Sequence, residues 1–152
     1  MRVVVQRVSE SSVSVNEKVV GKIDKGLMLL VGFTEGDNIE KIKYMVNKII
    51  NLRIFDDENG IMNKSILDVS GSILSISQFT LYADTKKGNR PSYIKALNGD
   101  AAIELYKLFN LELKKHVHVE EGIFGADMKV SLVNDGPVTI ILEKEWVLWR
   151  ID

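Results

Sequence analysis

Gly26 opens a continuous apolar run, Leu27 to Phe33, with no polar side chain in it. The run is far shorter than the ~18 residues of a membrane span, and it lacks the alternation of a strand with one wet face. What fits is a strand buried on both faces at the centre of a sheet. Much of the remaining chain then reads as material to surround it. Residues 2–8 and 11–15 are rich in β-branched side chains, and Asn16-Glu17 turns the second of these into Lys18 to Asp24, a hairpin over 11–24. Ile73 to Ile76 reads as another buried strand.

Two stretches change period. Asp37-Asn38-Ile39-Glu40 has the pattern of a capping box, and Ile39, Ile42, Met45, Val46, Ile49 and Ile50 recur at helical spacing, predicting a helix over 38–51. Asp100 is a candidate cap for a second helix over about 101–114, with Ile103, Tyr106, Phe109 and Leu113 on one side. Leu52 to Phe55 reads as a short strand. Gly122 to Met128 reads as a connection, 129–134 as a strand and 138–149 as the last one. With 152 residues and 45% apolar composition the chain can form one domain with a real core. The expected fold class is α+β: a single domain over 1–152, with mostly antiparallel, barrel-like sheets and two main helices.

Between those last strands lies Asn134-Asp135-Gly136-Pro137-Val138-Thr139. Proline lacks an N–H and cannot sit in a central ladder. Two readings stand side by side: a tight turn between strands, or a turn that holds backbone carbonyls at a fixed angle toward a ligand.

Composition narrows the chemistry. Zero cysteines exclude disulfides, thiolate nucleophiles and Cys-based zinc sites, and two histidines leave little room for His-based catalysis. A net charge of −1 argues against coating nucleic acid by bulk electrostatics, though a partner gripped at one place remains allowed. No membrane span or leader is recognisable, so a cytoplasmic location is expected. Asp56-Asp57-Glu58 reads as a solvated turn sooner than as a metal loop, having no regular ligand spacing after it. His116, His118 and Glu120 would share one face of a strand, either as its wet side or as metal ligands. From Asp84 to Lys95, the cations Lys86, Lys87, Arg90 and Lys95 stand against one acid, an ordinary solvated loop or the chain's main anion-facing patch. Ser77 and Thr80 are hydroxyl nucleophile candidates beside Gln78, which cannot act as a base. No phosphate-binding loop, dinucleotide fingerprint or nucleophile elbow occurs. Side chains so sparse suit a labile substrate such as an activated ester, where positioning and backbone dipoles suffice.

Ser77-Gln78-Phe79-Thr80-Leu81 and Asn134-Asp135-Gly136-Pro137-Val138-Thr139, about fifty residues apart, resemble the two signatures of the D-aminoacyl-tRNA deacylase (D-tyrosyl-tRNA deacylase) family. The resemblance runs from Arg2-Val3-Val4-Val5-Gln6-Arg7-Val8 to about Leu142. It takes in Gly88-Asn89-Arg90-Pro91-Ser92-Tyr93 and Gly122-Ile123-Phe124-Gly125-Ala126-Asp127-Met128. Residues 145–152 extend past it and are given no role. The resemblance implies hydrolysis of the ester between a D-amino acid and the 3′ end of tRNA, without a cofactor. It also implies a homodimer with its site at the subunit interface. Ser77, Gln78, Phe79 and Thr80 would form the catalytic pocket. Arg7, Met128, Asn134, Val138 and Thr139 would be on the substrate-binding side. Gly136 and Pro137, joined by a cis bond, would reach into the partner's pocket. Thr80 would position substrate rather than attack it, and the 2′-hydroxyl of the terminal ribose would activate water. A non-catalytic module that binds the tRNA 3′ end, and a metal hydrolase using His116, His118 and Glu120, are the competing expectations.

Overall fold

The computed structural model describes residues 1–145; residues 146–152, on which most of the expected extension and the end of the expected last strand fall, lie outside the described residues. A single strand, β1 (Arg2–Val15), organises the sheet. The two strands expected in 2–15 are this one continuous element. Its N-terminal half pairs antiparallel with β3 (Gly26–Gly32), and its C-terminal half with β2 (Lys18–Ile23). Its other edge pairs along nearly its whole length with β8 (Lys129–Glu143). Val3, for example, lies opposite Val31 on one side and Leu142 on the other.

The far side of β3 carries parallel pairings. β6 (Ser72–Ser77) lies beside β3, and β7 (Val119–Glu121) beside β6. Parallel neighbours need crossovers, and the helices supply them. Helix α1 (Ile39–Asn51) and a small hairpin, β4 (Phe55–Asp56) with β5 (Met62–Lys64), lie between β3 and β6 in the chain, and α2 (Gly99–Lys114) lies between β6 and β7. The six-stranded sheet is thus of mixed direction, antiparallel in most of its ladders, and curls into a nearly closed barrel.

The double burial of β3 explains its composition. Leu27, Leu29 and Val31 face a core shared with Ile42, Met45 and Ile49 of α1 and Phe109 and Leu113 of α2. Met28 faces a second core inside the curl, with Val8, Val13, Ile23, Leu74 and Ile76. Burying a side chain of this kind contributes roughly 1.5–3 kcal/mol, so both faces of β3 bear on stability.

Local details depart from the sequence reading where two residues competed for one role. Asn38 caps α1, its Oδ1 accepting from Lys41 N at 3.0 Å. Asp37 instead accepts from Thr34 N at 2.8 Å and pairs with the buried Lys41 at 3.3 Å. At α2 the cap is Asn98, accepting from Asp100 N at 3.0 Å, not Asp100 itself. The larger correction concerns Gly136–Pro137. The chain does not reverse there: Asn134 pairs with Val8 and Thr139 with Gln6, so one strand runs on through a bulge. Four residues stand opposite Arg7, and a bulge on an outer strand is a place where a residue without an N–H is tolerated.

Candidate active site

Strand β6 ends at Ser77, and the chain then closes into a 3-10 turn, Phe79–Tyr82. Gln78 is tied to the end of β3 by its N–H, which donates to Val31 O at 2.8 Å. Gly32 permits that approach, since a Cβ there would lie 3.0 Å from Gln78 O and 3.1 Å from Leu81 Cβ. The other side of the turn is held by Arg2. Its guanidinium donates to Leu81 O at 2.9 Å and to Glu143 Oε1 at 3.0 Å, and lies 4.4 Å from the ring centre of Tyr82. Sequence reasoning missed Arg2, because no local pattern signals a contact that spans 79 residues.

The turn borders a cleft of about 530 Å3. Val31, Gly32 and Ile76 come from the strands, Leu97 and Ala102 from the approach to α2 and its first turn, and Phe124, Ala126 and Met128 from the segment before β8. Ser77, Gln78 and Phe79 line it on the catalytic side. At the mouth, Phe79 meets Tyr93 edge-on, with ring centres 5.0 Å apart. Among the described residues, Tyr93 is the only ionisable side chain in the lining. Thr80 is adjacent: its hydroxyl accepts a short hydrogen bond from Gln78 Nε2. That partner is an amide, which cannot take the proton of Thr80 Oγ1. The first N–H groups of such a turn, those of Phe79 and Thr80, have no acceptor within it.

The remaining predicted residues gather elsewhere. Arg7 is nearly buried, at 8% exposure. Its Nε donates to Asp135 O at 2.8 Å, and Nη1 donates to Ile54 O at 2.8 Å and meets Asp56 at 3.4 Å. Asn134 spans the bulge, its Oδ1 accepting from Val138 N at 2.8 Å and its Nδ2 donating to Thr139 Oγ1 at 3.0 Å. Gly136 and Pro137 are joined by a cis bond and exposed. None of Asn134 to Thr139 lines the cleft of its own chain. The structure therefore brings Ser77, Gln78, Phe79, Thr80 and Met128 together, and separately Arg7, Asn134, Gly136, Pro137, Val138 and Thr139.

The candidate metal sites do not assemble. β7 begins only at Val119, so His116 and His118 both lie outside the strand, and His118 Nε2 meets Glu120 at 2.8 Å. Asp57 accepts from the N–H groups of Ile61 and Asn59, which hold its carboxyl below the usual range. Among the described residues, no group of three or more His, Asp or Glu is placed to hold a metal ion.

An apolar cleft with no acid–base pair on its walls suits an enzyme that positions a reactive acyl group. The chain belongs to the D-Tyr-tRNA(Tyr) deacylase family, whose model matches residues 4–143. It is accordingly a hydrolase that acts on the ester bond of D-aminoacyl-tRNA. A solved structure described as a "c-Myc DNA Unwinding Element Binding Protein" is 40% identical, with a TM-score of 0.91, over 96% of this chain and 100% of that one. Another, described as a probable eukaryotic D-amino acid tRNA deacylase, is 18% identical with a TM-score of 0.80, over 93% and 97% of the two chains, a likeness of fold. No helix among the described residues is long and apolar enough to cross a membrane.

Proposed function

We propose that the enzyme selects D-aminoacyl-tRNA with a main-chain wall, Gly136–Pro137, contributed to each cleft by a second copy of the chain. The observation that carries this reading is the bulge itself. It is fixed on one side by a nearly buried guanidinium and on the other by the Asn134 side chain, yet none of its residues lines the cleft of its own chain. β8 supports the dimer. Among the described residues it pairs only with β1, leaving the outer edge of a 15-residue strand uncovered, and Val133 and Ile141 on that strand are exposed. Long uncovered edges of this kind are pairing surfaces.

A wall of carbonyls against the substrate's α-carbon leaves space on one side for hydrogen alone. An L side chain overlaps rigid backbone and is refused. Exclusion by overlap can exceed the ~1–3 kcal/mol that one methylene contact supplies. Varied D side chains are accepted because none of them meets the wall, and glycyl-tRNA, with no side chain, passes to some extent. The N–H groups of Phe79 and Thr80 hold the ester oxyanion. Ser77 and Gln78 fix the acyl group, Met128 lines the same cleft, and the 2′-hydroxyl of the terminal ribose activates the attacking water. The enzyme works in the cytoplasm, where translation supplies charged tRNA.

The test charges one tRNA with D-tyrosine and with L-tyrosine. Release of the D-amino acid, with the L-ester decaying at its spontaneous rate, is the expected result. Equal release from both would end the claim of chiral selection. Binding of both without release would leave a module that only holds the tRNA end. Thr80→Ala is expected to keep kcat within about tenfold of wild type, since no base contacts its hydroxyl. Recovery of an acyl group esterified to Thr80 would contradict that mechanism.

A further inference from the structure

The loop from Asp84 to Lys95 has its own construction at the cleft rim. Asp84 and Ser92 close its base by exchanging both N–H···O bonds, at 2.8 and 2.9 Å. The one acid in the loop is already engaged: Asp84 accepts from Lys86 N at 3.0 Å and pairs with Lys95 at 3.5 Å. The Lys86 N–H, with the Lys95 charge behind it, holds the Asp84 carboxyl below the usual range, so it stays ionised and partnered near neutral pH.

Beyond that root the balance of charge is one-sided. Lys86, Lys87 and Arg90 fall within five residues, all exposed, and none has a side-chain hydrogen bond or ion pair among the described residues. The whole chain has a net charge of −1, so outside these three cations it is net acidic, and this tip is a local cationic feature and not part of a basic surface. Its place matters as much as its charge. Tyr93, one residue past the base of the loop, lines the cleft and meets Phe79 at its mouth. A substrate whose acyl ester sits in the cleft has, past Tyr93, a route out for its nucleic-acid chain that leads to this tip.

We propose that Lys86, Lys87 and Arg90 grip phosphates of the single-stranded acceptor end of the tRNA, setting affinity for the polynucleotide without taking part in the ester chemistry. The proposal rests on the D-aminoacyl-tRNA reading of the cleft. Three contacts on single-stranded RNA release about two counterions' worth of salt dependence, a slope near −2 in log K against log salt.

The experiment compares wild type with Lys86→Ala/Lys87→Ala/Arg90→Ala on two substrates, D-tyrosyl-tRNA and D-tyrosyl-adenosine, and measures equilibrium binding of uncharged tRNA across a salt series. The triple variant is expected to raise KM for the tRNA on the order of tenfold at moderate salt and to flatten the salt slope by about two. Its kcat on tRNA and both constants on D-tyrosyl-adenosine should stay within twofold. An unchanged tRNA KM and an unchanged salt slope overturn the grip, as does an equal loss on both substrates, which would make the loop part of the cleft's framework. A DNA duplex that competes with tRNA on equal terms overturns the assignment to the RNA end. The binding arm needs no ester cleavage. Loop-dependent binding by an enzyme that releases no D-tyrosine would therefore sink the deacylase reading and leave the grip standing.

Discussion

Gly136→Ala is expected to lower kcat/KM for D-tyrosyl-tRNA on the order of 100-fold and to shrink the preference for D over L substrate, while lowering the melting temperature by only a few degrees. Gly136 has φ +137, a backbone conformation that side chains rarely adopt. A Cβ built there lies 2.8 Å from Val138 Cγ2, 3.0 Å from Val138 N and 3.1 Å from Arg7 Nη2. The first and third of these can give way only by moving side chains that help fix the bulge, and the second is backbone. The methyl group must therefore shift the Gly136 carbonyl, the proposed wall. Misplacement by about 1 Å in a positioned site costs on the order of 100-fold. Gly136 and Pro137 are exposed, but Val138 packs against the core, and a side chain held at this φ costs about 1–3 kcal/mol, so a fall in Tm of a few degrees accompanies the loss of activity. Rates for D- and L-tyrosyl-tRNA, measured beside a thermal melt, check this. An unchanged D-to-L ratio in a variant of normal stability would remove Gly136 from the selection of handedness.

The same bulge shows how far the sequence could be read. Both signatures were legible as motifs, and Ser77-Gln78-Phe79 does converge on one cleft with Met128. The course of the backbone through Pro137 was not legible. Proline as a local breaker suggested a turn, but among the described residues β8 has β1 on one edge only, so the ladder needs no donor from Pro137 on its outer side. Burial of β3 on both faces was readable from Leu27 to Phe33, because apolar composition reports burial directly. The parallel pairing of β3, β6 and β7 was not readable. A strand's period records its faces and not its neighbours, and the crossover helices that set direction were visible only as separate elements. Caps failed in a similar way: Asn98 and Asp100, like Asn38 and Asp37, are competent acceptors two and one residues apart, and backbone dihedrals choose between them. His116 and His118 were misplaced because β7 is only three residues long and starts at Val119.

Arg7→Ala is expected to reach the same wall from inside the fold, with a stability cost that comes from lost hydrogen bonds and not from strain. One planar guanidinium donates to Asp135 O on the bulge and to Ile54 O before β4, bridging two segments that are 81 residues apart in sequence (135 − 54). The contact with Asp56 adds little, since that carboxylate is 53% exposed. Hydrogen bonds from a charged donor are worth about 1.5–3 kcal/mol each. Losing two leaves both carbonyls without that donor, so a net loss of about 3 kcal/mol follows once water reaches the exposed one. For a chain of this size that is a fall in Tm of roughly 6–12 °C. With Asp135 O released, the bulge keeps only its Asn134 bonds, so selectivity against L-tyrosyl-tRNA should fall as well. Arg7→Lys separates charge from geometry. A lysine retains the charge and can reach one carbonyl, but it has no planar fork to aim at both. It should recover part of the Tm and little of the selectivity. If Arg7→Lys restored both together, the charge alone would be sufficient. If Arg7→Ala lost stability but kept full selectivity, the wall would be held by Asn134 without the guanidinium.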